Sequence, residues 1–235
     1  MDTGTDTGLK TVIQVAMEET NNQIDLSFDY HAHILPGCDH GSDSVATSCS
    51  QLAMAKAAGI QTVCATPHFY PNRETVENFL ERRAESADRL KGELLSDGPR
   101  VHLGAEVLIC EGMDRMEPLR SLCREGTDEL LLEMPFYRWS TSVWRTILAL
   151  HERSDIHIVL AHADRYDASD IERLIREGVT LQLNVSCFNN RLHRRRYLSW
   201  IDSGAVHYLG SDIHMLGSGY RDWDKCKKLL LKRWR

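Results

Sequence analysis

The feature of this sequence that most constrains its fold is a regular alternation of short apolar runs and longer amphipathic runs. From residue 26 onward, helical stretches separate seven apolar runs of strand length. The apolar runs are LSFDY, IQTVCAT, VHLGAEVLI, ELLLEMP, IHIVLAHA, VTLQLNVS and AVHYLGSD. Helices are predicted over 44–58, 73–95, 115–124, 141–152, 169–177 and 192–202. Repeated strand–helix units predict a parallel sheet, and seven of them predict a single α/β barrel domain.

Composition narrows the classes of function. The net charge of −6 gives no basic field for a nucleic-acid backbone, so nucleic acid is not an expected partner. No apolar run approaches the roughly 20 residues of a membrane span, and the start MDTGTDTGLK is unlike a signal peptide. The seven cysteines form no CxxC pair, and none is followed six residues later by the arginine of a cysteine phosphatase. We therefore expect a cytoplasmic protein with reduced thiols and no membrane insertion.

Side chains that bind metals fall at or near the ends of six predicted strands. They are His31, His33, His40, His68, Glu106, Glu133, His162, Asp212 and His214. Strand carboxyl ends are the face where parallel barrels build active sites, and HxH spacing places two imidazoles on one side of a strand. Any one of these residues alone, like the five remaining histidines, reads as structural. Nine donors together predict a site of two or three divalent ions, with manganese, iron and zinc all open, and hydrolysis as the reaction.

The motifs also occur in the order of a known family. DYHAHILPGCDHG, TPHFY, LGAE, LEMP, AHADRY and SDIH resemble the PHP (polymerase and histidinol phosphatase) superfamily over about residues 26–221, and most closely its bacterial capsule and exopolysaccharide tyrosine phosphatases. The resemblance implies a distorted (β/α)7 TIM-like barrel with a trinuclear cluster. It implies one ion at His31, His33, Glu106 and Asp212, a second at Glu106, Glu133 and His162, and a third at His40, His68 and His214. Arg165 and Arg221 match arginines that clamp the phosphate.

The function implied is a metal-dependent phosphomonoesterase in which a metal-bridging hydroxide attacks phosphorus. The expected substrate is phosphotyrosine on a tyrosine kinase that regulates capsular or exopolysaccharide biosynthesis. Asp39 is a candidate proton donor, although capping of the helix near Ser42 and Asp43 is the preferred reading. The alternatives are a small-molecule phosphatase for histidinol phosphate or a nucleotide, and a non-catalytic scaffold that binds metal and a phosphoprotein.

The sequence departs from that family in three places. His40 stands where the tyrosine phosphatases usually carry aspartate, which is the main hint of a small-molecule substrate. The HPER of relatives is His162, Ala163, Asp164 and Arg165 here. Residues 1–25 form an N-terminal extension of unknown role before a catalytic domain over 26–235. The ends of the chain bear on oligomer contacts, and a homo-oligomer is one expected assembly.

Overall fold

The computed structural model describes residues 24–235, so most of the predicted N-terminal extension lies outside the described residues. Nine strands and six α-helices make up the described chain. The strands are β1 (Phe28–Ala32), β2 (Thr62–Ala65), β3 (His68–Phe69), β4 (Arg100–Leu103), β5 (Glu106–Leu108), β6 (Glu129–Glu133), β7 (His157–Leu160), β8 (Thr180–Asn184) and β9 (Val206–Gly210). The helices are α1 (Val45–Ala57), α2 (Val76–Lys91), α3 (Thr141–His151), α4 (Ala168–Arg176), α5 (Arg194–Asp202) and α6 (Gly219–Arg233).

The strands form two parallel sheets. One has the order β1-β2-β4, and the other has the order β3-β5-β6-β7-β8-β9. A parallel bridge between Ala32 and Ile213, just beyond β9, joins the first sheet to the second. Asp212 N–H donates to the His31 carbonyl at 2.8 Å beside this bridge. The predicted α/β fold with parallel strands is therefore confirmed.

The predicted count of seven strands is wrong, because β3 lies beyond the second predicted strand and because the third predicted strand is divided into β4 and β5. After β2, Pro67 has no N–H to continue the ladder, and the chain resumes as β3. In the VHLGAEVLI run, the break between β4 and β5 lies at Gly104 and Ala105. A Cβ at Gly104 would lie 3.1 Å from Cys64 Sγ, a tight contact that glycine avoids where the chain leaves β4 beside β2.

Five of the predicted helices are confirmed to within a few residues. Ser44, Thr75, Ser140 and Asp167 accept backbone N–H groups at the starts of α1, α2, α3 and α4. The predicted helix over 115–124 is instead two 3₁₀ turns, Met113–Arg115 and Glu117–Leu122, separated by Met116 in an extended conformation. In residues 24–235, no helix combines the length and apolar character that crossing a bilayer requires.

An aromatic and aliphatic group fills the space between the sheets below the strand carboxyl ends. This interior cluster consists of Tyr30, Leu131, Val159 and Ala161, and all four are buried. The Tyr30 ring stacks on Tyr208 with centroids 3.9 Å apart. The Tyr30 hydroxyl donates to Glu129 at 3.2 Å, which satisfies its polar end. The polar side chains described next lie above this apolar layer.

Candidate active site

A bulge in β1 turns its last side chains toward the other strands. Asp29 pairs with Val63 and Ala32 with Ala65, so β1 contains one residue more than β2 over this stretch. Strict alternation would send consecutive residues to opposite faces, whereas here Tyr30 packs in the interior cluster and His31 contacts Glu106. Bulges commonly re-aim side chains next to active sites. The extra residue lets one strand supply both the apolar layer and the first site histidine.

Two glycines allow the site histidines to sit against neighbouring backbone. A Cβ at Gly210 would lie 2.6 Å from His31 Cβ, and a Cβ at Gly41 would lie 2.2 Å from His33 Cβ. Both distances are far below van der Waals contact, so only glycine fits. His162 and Asp212 have positive φ angles of 31° and 48°. Such strain in residues with side chains is typical of functional sites.

Histidines of two other strand-end motifs converge on the carboxylate of Glu106, and Asp212 of a third motif lies beside them. Its Oε2 atom lies 3.2 Å from His31 Nε2, 3.2 Å from His33 Nε2 and 3.0 Å from His68 Nδ1. Asp212 Oδ1 lies 3.7 Å from His31 Nε2 and 3.5 Å from His33 Nε2. Since the sequence separates these residues by up to 181 positions, only the sheet topology brings them together.

The tautomer of His31 follows from its neighbours. The backbone N–H of His162 donates to Gln182 Oε1 at 2.6 Å, which identifies that atom as the amide oxygen. His31 Nδ1 lies 3.2 Å from the same oxygen and must therefore donate to it. In the neutral ring, the other nitrogen, Nε2, therefore carries the lone pair, and it faces the site.

The same reasoning applies to His33 and His214. Asp39 Oδ2 accepts from the backbone N–H of His68 at 3.0 Å and from His33 Nδ1 at 2.7 Å, so Nε2 of His33 also presents a lone pair. His214 Nδ1 donates to the backbone carbonyl of Asp212 at 3.1 Å, and its Nε2 is buried with no hydrogen-bond partner. Three imidazoles thus aim acceptor nitrogens inward.

A second group of donors lies on the far side of Glu106. His162 Nε2 is 2.7 Å from Glu106 Oε1 and 3.7 Å from Glu133 Oε1. Burial and the charge of Glu106 raise the pKa of Glu133 to about 7. Two carboxylates this close are both ionised only with positive charge between or beside them, because otherwise one of them keeps its proton. Glu106 therefore stands between two clusters of donors.

His40 completes a third group near the surface. Its ring centroid lies 4.8 Å from that of His68 and 4.7 Å from that of His214. His40 is exposed, while His68 is buried and His214 is partly buried. Burial lowers the pKa of His68 to about 4, so this ring is neutral and available as a ligand at physiological pH. All nine predicted donors thus meet in one region.

The charge balance of the site favours bound cations. Burial opposes protonation of His31 and His33, yet neighbouring carboxylates outweigh it and raise the pKa of both rings. Burial also opposes ionisation of Glu106, but His31 and the other histidines hold its pKa well below the ordinary value. Three triads have donor atoms within 4.8 Å of one another: His33, His68 and His214; His31, His33 and Asp212; His68, Glu106 and Glu133. This donor set fits divalent metal ions.

The three residues predicted to act on substrate are placed differently from one another. Arg165 donates to Asp212 Oδ2 through Nη2, at the edge of the site. Arg221 lies near the start of α6, and within residues 24–235 its side chain makes no hydrogen bond or ion pair with the nine donors. Asp39 does not cap α1, because Ser44 does so. Asp39 instead bonds His33, with its pKa held low by that bond against the effect of burial.

Two amide side chains on β8 belong to the site and were not predicted. Gln182 Nε2 donates to Asn184 Oδ1 at 3.0 Å, and Asn184 Nδ2 donates to Asp212 Oδ2 at 2.9 Å. His31 and His162 also donate to Gln182. These hydrogen bonds connect three of the predicted metal ligands, His31, His162 and Asp212, to β8. The available signal was a pair of buried amides at alternate positions in the apolar run VTLQLNVS.

Comparisons with known proteins agree with the fold and the motifs. The chain is 26% identical over 198 residues to the tyrosine-protein phosphatase YwqE of Bacillus subtilis, covering 79% of this chain and 76% of that protein. It is 27% identical over 208 residues to the putative tyrosine-protein phosphatase CapC of Staphylococcus aureus, covering 80% and 77%. It also matches one of the crystal structures of YwqE and of CpsB from Streptococcus pneumoniae, described as unique metal-dependent tyrosine phosphatases. That match has a TM-score of 0.70 and 21% identity over 86% of each chain.

The resemblance drawn from the motifs is thereby confirmed. The family described as capsular polysaccharide synthesis, CpsB/CapC, matches residues 27–235, which is nearly the whole described chain. The chain belongs to the CpsB/CapC family.

Proposed function

We propose that this protein is a metal-dependent phosphomonoesterase that removes phosphate from phosphotyrosine in a protein of capsule or exopolysaccharide biosynthesis. One observation carries the proposal: the Nε2 atoms of His31 and His33 lie 3.1 Å apart, and each lies 3.2 Å from Glu106 Oε2. With both rings neutral, these nitrogens repel each other unless a proton or a metal ion lies between them, and a metal ion can bind both nitrogens and the carboxylate together. The named activities of YwqE and CapC supply the reaction class, and both align with about four-fifths of this chain.

The nine donors are proposed to hold two or three divalent ions, of manganese, iron or zinc. His31, His33, Glu106 and Asp212 serve one ion, Glu106, Glu133 and His162 a second, and His40, His68 and His214 a third. Bound there, divalent ions would activate water at neutral pH and neutralise phosphate charge. The Ala32–Ile213 bridge supports a distorted barrel over 26–235 as the frame that keeps these donors together.

The protein's own residues have separate tasks in this proposal. Arg165 and Arg221 bind the phosphoryl oxygens, since a guanidinium matches phosphate in charge and in the spacing of its donors. Asp39 holds His33 in the correct tautomer. Because its two oxygens already accept from His33, His68 and Gly41, we assign it this orienting task and not proton donation. Gln182 does the same for His31.

The partner and the setting are part of the same proposal. The proposed phosphotyrosine substrate is a tyrosine kinase that regulates capsular or exopolysaccharide biosynthesis, and the protein is proposed to act in the cytoplasm. All seven cysteines are free, which supports a reducing compartment. A homo-oligomer remains a proposal that measurement of the mass in solution would test.

Hydrolysis of p-nitrophenyl phosphate tests the reaction class. We expect activity that chelator abolishes and manganese restores, together with bound transition metal by elemental analysis. His33→Ala should lose both metal and activity, whereas the matched change His102→Ala on β4 should keep both. Metal-loaded protein that hydrolyses no phosphomonoester would refute the enzyme and favour the scaffold.

Competition between a phosphotyrosyl peptide and histidinol phosphate tests the substrate class. We expect kcat/KM to favour the peptide. The variant His40→Asp, which restores the residue usual in tyrosine phosphatases, should leave that order unchanged. A preference for histidinol phosphate that reverses in His40→Asp would instead establish the small-molecule alternative.

A further inference from the structure

A cavity of about 670 Å³ opens beside the candidate site, on the side of His162 and Arg165. Its volume lies in the range of pockets that hold small ligands. Its lining includes Arg165 and the aromatic residues Phe136, Tyr137, Trp144 and Tyr166. Arg165 also contacts Asp212, so this arginine connects the cavity to the donor cluster.

Phe136 lies between the donor cluster and this cavity. Its ring centroid is 5.7 Å from that of His162, with 26° between the planes, and 5.7 Å from that of Tyr166, with 24° between the planes. His162 in turn lies against Glu106. Phe136 is nevertheless 63% exposed. A large apolar ring is therefore exposed to solvent while it stacks on His162, one of the proposed metal ligands.

The segment that carries Phe136 is held in place. Trp139 Nε1 donates to the Pro135 carbonyl at 3.0 Å, and the Tyr166 hydroxyl accepts from the Met134 N–H at 2.9 Å. Trp139 and Tyr166 also contact each other edge to face, with centroids 5.5 Å apart. The exposure of Phe136 thus results from an anchored backbone that presents the ring to solvent.

Building on the proposed function, we propose that Phe136 is the platform for the aromatic ring of the substrate and that the cavity holds the peptide next to that ring. A phosphoryl group between the donor cluster and Arg165 has to direct its ester oxygen away from the buried side. Next to Arg165, the open side is bordered by the exposed ring of Phe136. An aryl ring attached to that oxygen can stack on Phe136 at the usual 4.5–7 Å between centroids. An aliphatic phosphoester has no ring to place there.

Binding of two non-hydrolysable ligands tests this role. Benzylphosphonate and methylphosphonate share the phosphonate and differ by a phenyl ring, and calorimetry on metal-loaded protein gives the affinity for each. We expect the wild type to bind benzylphosphonate roughly fivefold more tightly, as a stacked aromatic pair allows. Phe136→Ala should abolish the preference, and Phe136→Trp should retain it. Leu95→Ala, which trims another exposed apolar residue away from the cavity, should also retain it.

Each outcome bears on one proposal at a time. A preference that survives in Phe136→Ala would overturn the platform, and so would a wild type that binds both ligands equally or binds neither. A protein that prefers benzylphosphonate but hydrolyses no phosphomonoester would refute the phosphatase and leave the aryl subsite intact. An active phosphatase without the preference would refute the subsite alone.

Discussion

The Nε2 atoms of His31 and His33 lie 3.1 Å apart, and when both rings are neutral each Nε2 carries a lone pair on the side of the site. Neither ring can relieve this contact by exchanging its tautomer, because Gln182 and Asp39 hold the Nδ1 protons. The packing interactions of the folded chain offset the unfavourable free energy of bringing these two nitrogens together. A cation that arrives at the site finds its ligands already oriented, which lowers the entropy cost of binding.

Removing the negative charge that orients His33 should weaken metal binding. We expect Asp39→Asn to lower metal affinity by about 10–100-fold, the usual effect of losing an outer-shell carboxylate. Titration against a chromogenic chelator measures this. Asp43→Asn is the matched control, since Asp43 bonds only Ser44 and Thr47 at the exposed start of α1. Equal metal affinity in the two variants would contradict the orienting role.

The packing of Gly41 against His33 predicts a loss of stability on adding one methyl group. In Gly41→Ala the new Cβ would lie 2.2 Å from His33 Cβ and 2.6 Å from the His33 carbonyl oxygen, so backbone must move. Overpacking of this kind should lower the free energy of unfolding by about 1–3 kcal/mol, measured by urea denaturation. Gly92→Ala has nothing within 4 Å of its Cβ and should be neutral or slightly stabilising. A neutral Gly41→Ala would show that the loop adapts freely.

Loss of the guanidinium at the site edge should weaken substrate binding. Arg165→Ala is expected to raise KM for p-nitrophenyl phosphate roughly ten- to a hundredfold, because hydrogen bonds to a charged group contribute about 1.5–3 kcal/mol. Arg176→Ala removes an exposed arginine at the end of α4 and should leave KM unchanged. Steady-state kinetics on both variants decides the matter. An unchanged KM in Arg165→Ala would assign Arg165 to its ion pair with Asp212 alone.

The start of α6 gives a pH-dependent contribution to stability. Burial opposes ionisation of Asp222, but hydrogen bonds from Asn189, Lys225 and Ser218 outweigh it and lower its pKa. A lowered pKa stabilises the folded state above the ordinary value of 3.8, and this contribution disappears as pH falls through the folded-state pKa.

Asp222→Asn should therefore lower the free energy of unfolding by roughly 0.5–1 kcal/mol at pH 7, as expected for a partly screened pair. The difference from wild type should shrink as the pH is lowered below 4. Asp224→Asn, on the exposed side of the same helix, should show no difference at either pH. A constant difference across the pH range would mean that the carboxylate charge does not matter.

The convergence of the ligand motifs was predictable because most of them follow an apolar run, and parallel strands bring their carboxyl ends to one edge. The nine donors accordingly meet around Glu106 and His68 as the sequence predicted. The bulge in β1 was not predictable, because an extra residue is visible only against the register of β2. The role of Gln182 was not predictable, because it depends on a hydrogen bond from the backbone N–H of His162, which is 20 positions earlier in the sequence.

The interior cluster determines the side from which substrate can enter the site. Tyr30, Leu131, Val159 and Ala161 are each at most 3% exposed, and they close off the space beneath the histidines. Within residues 24–235, substrate and product therefore reach and leave the site from the side of the strand carboxyl ends, and not through this cluster. In a phosphatase of this shape, released inorganic phosphate occupies the site until it diffuses out by the same opening. Phosphate is therefore expected to be a competitive product inhibitor.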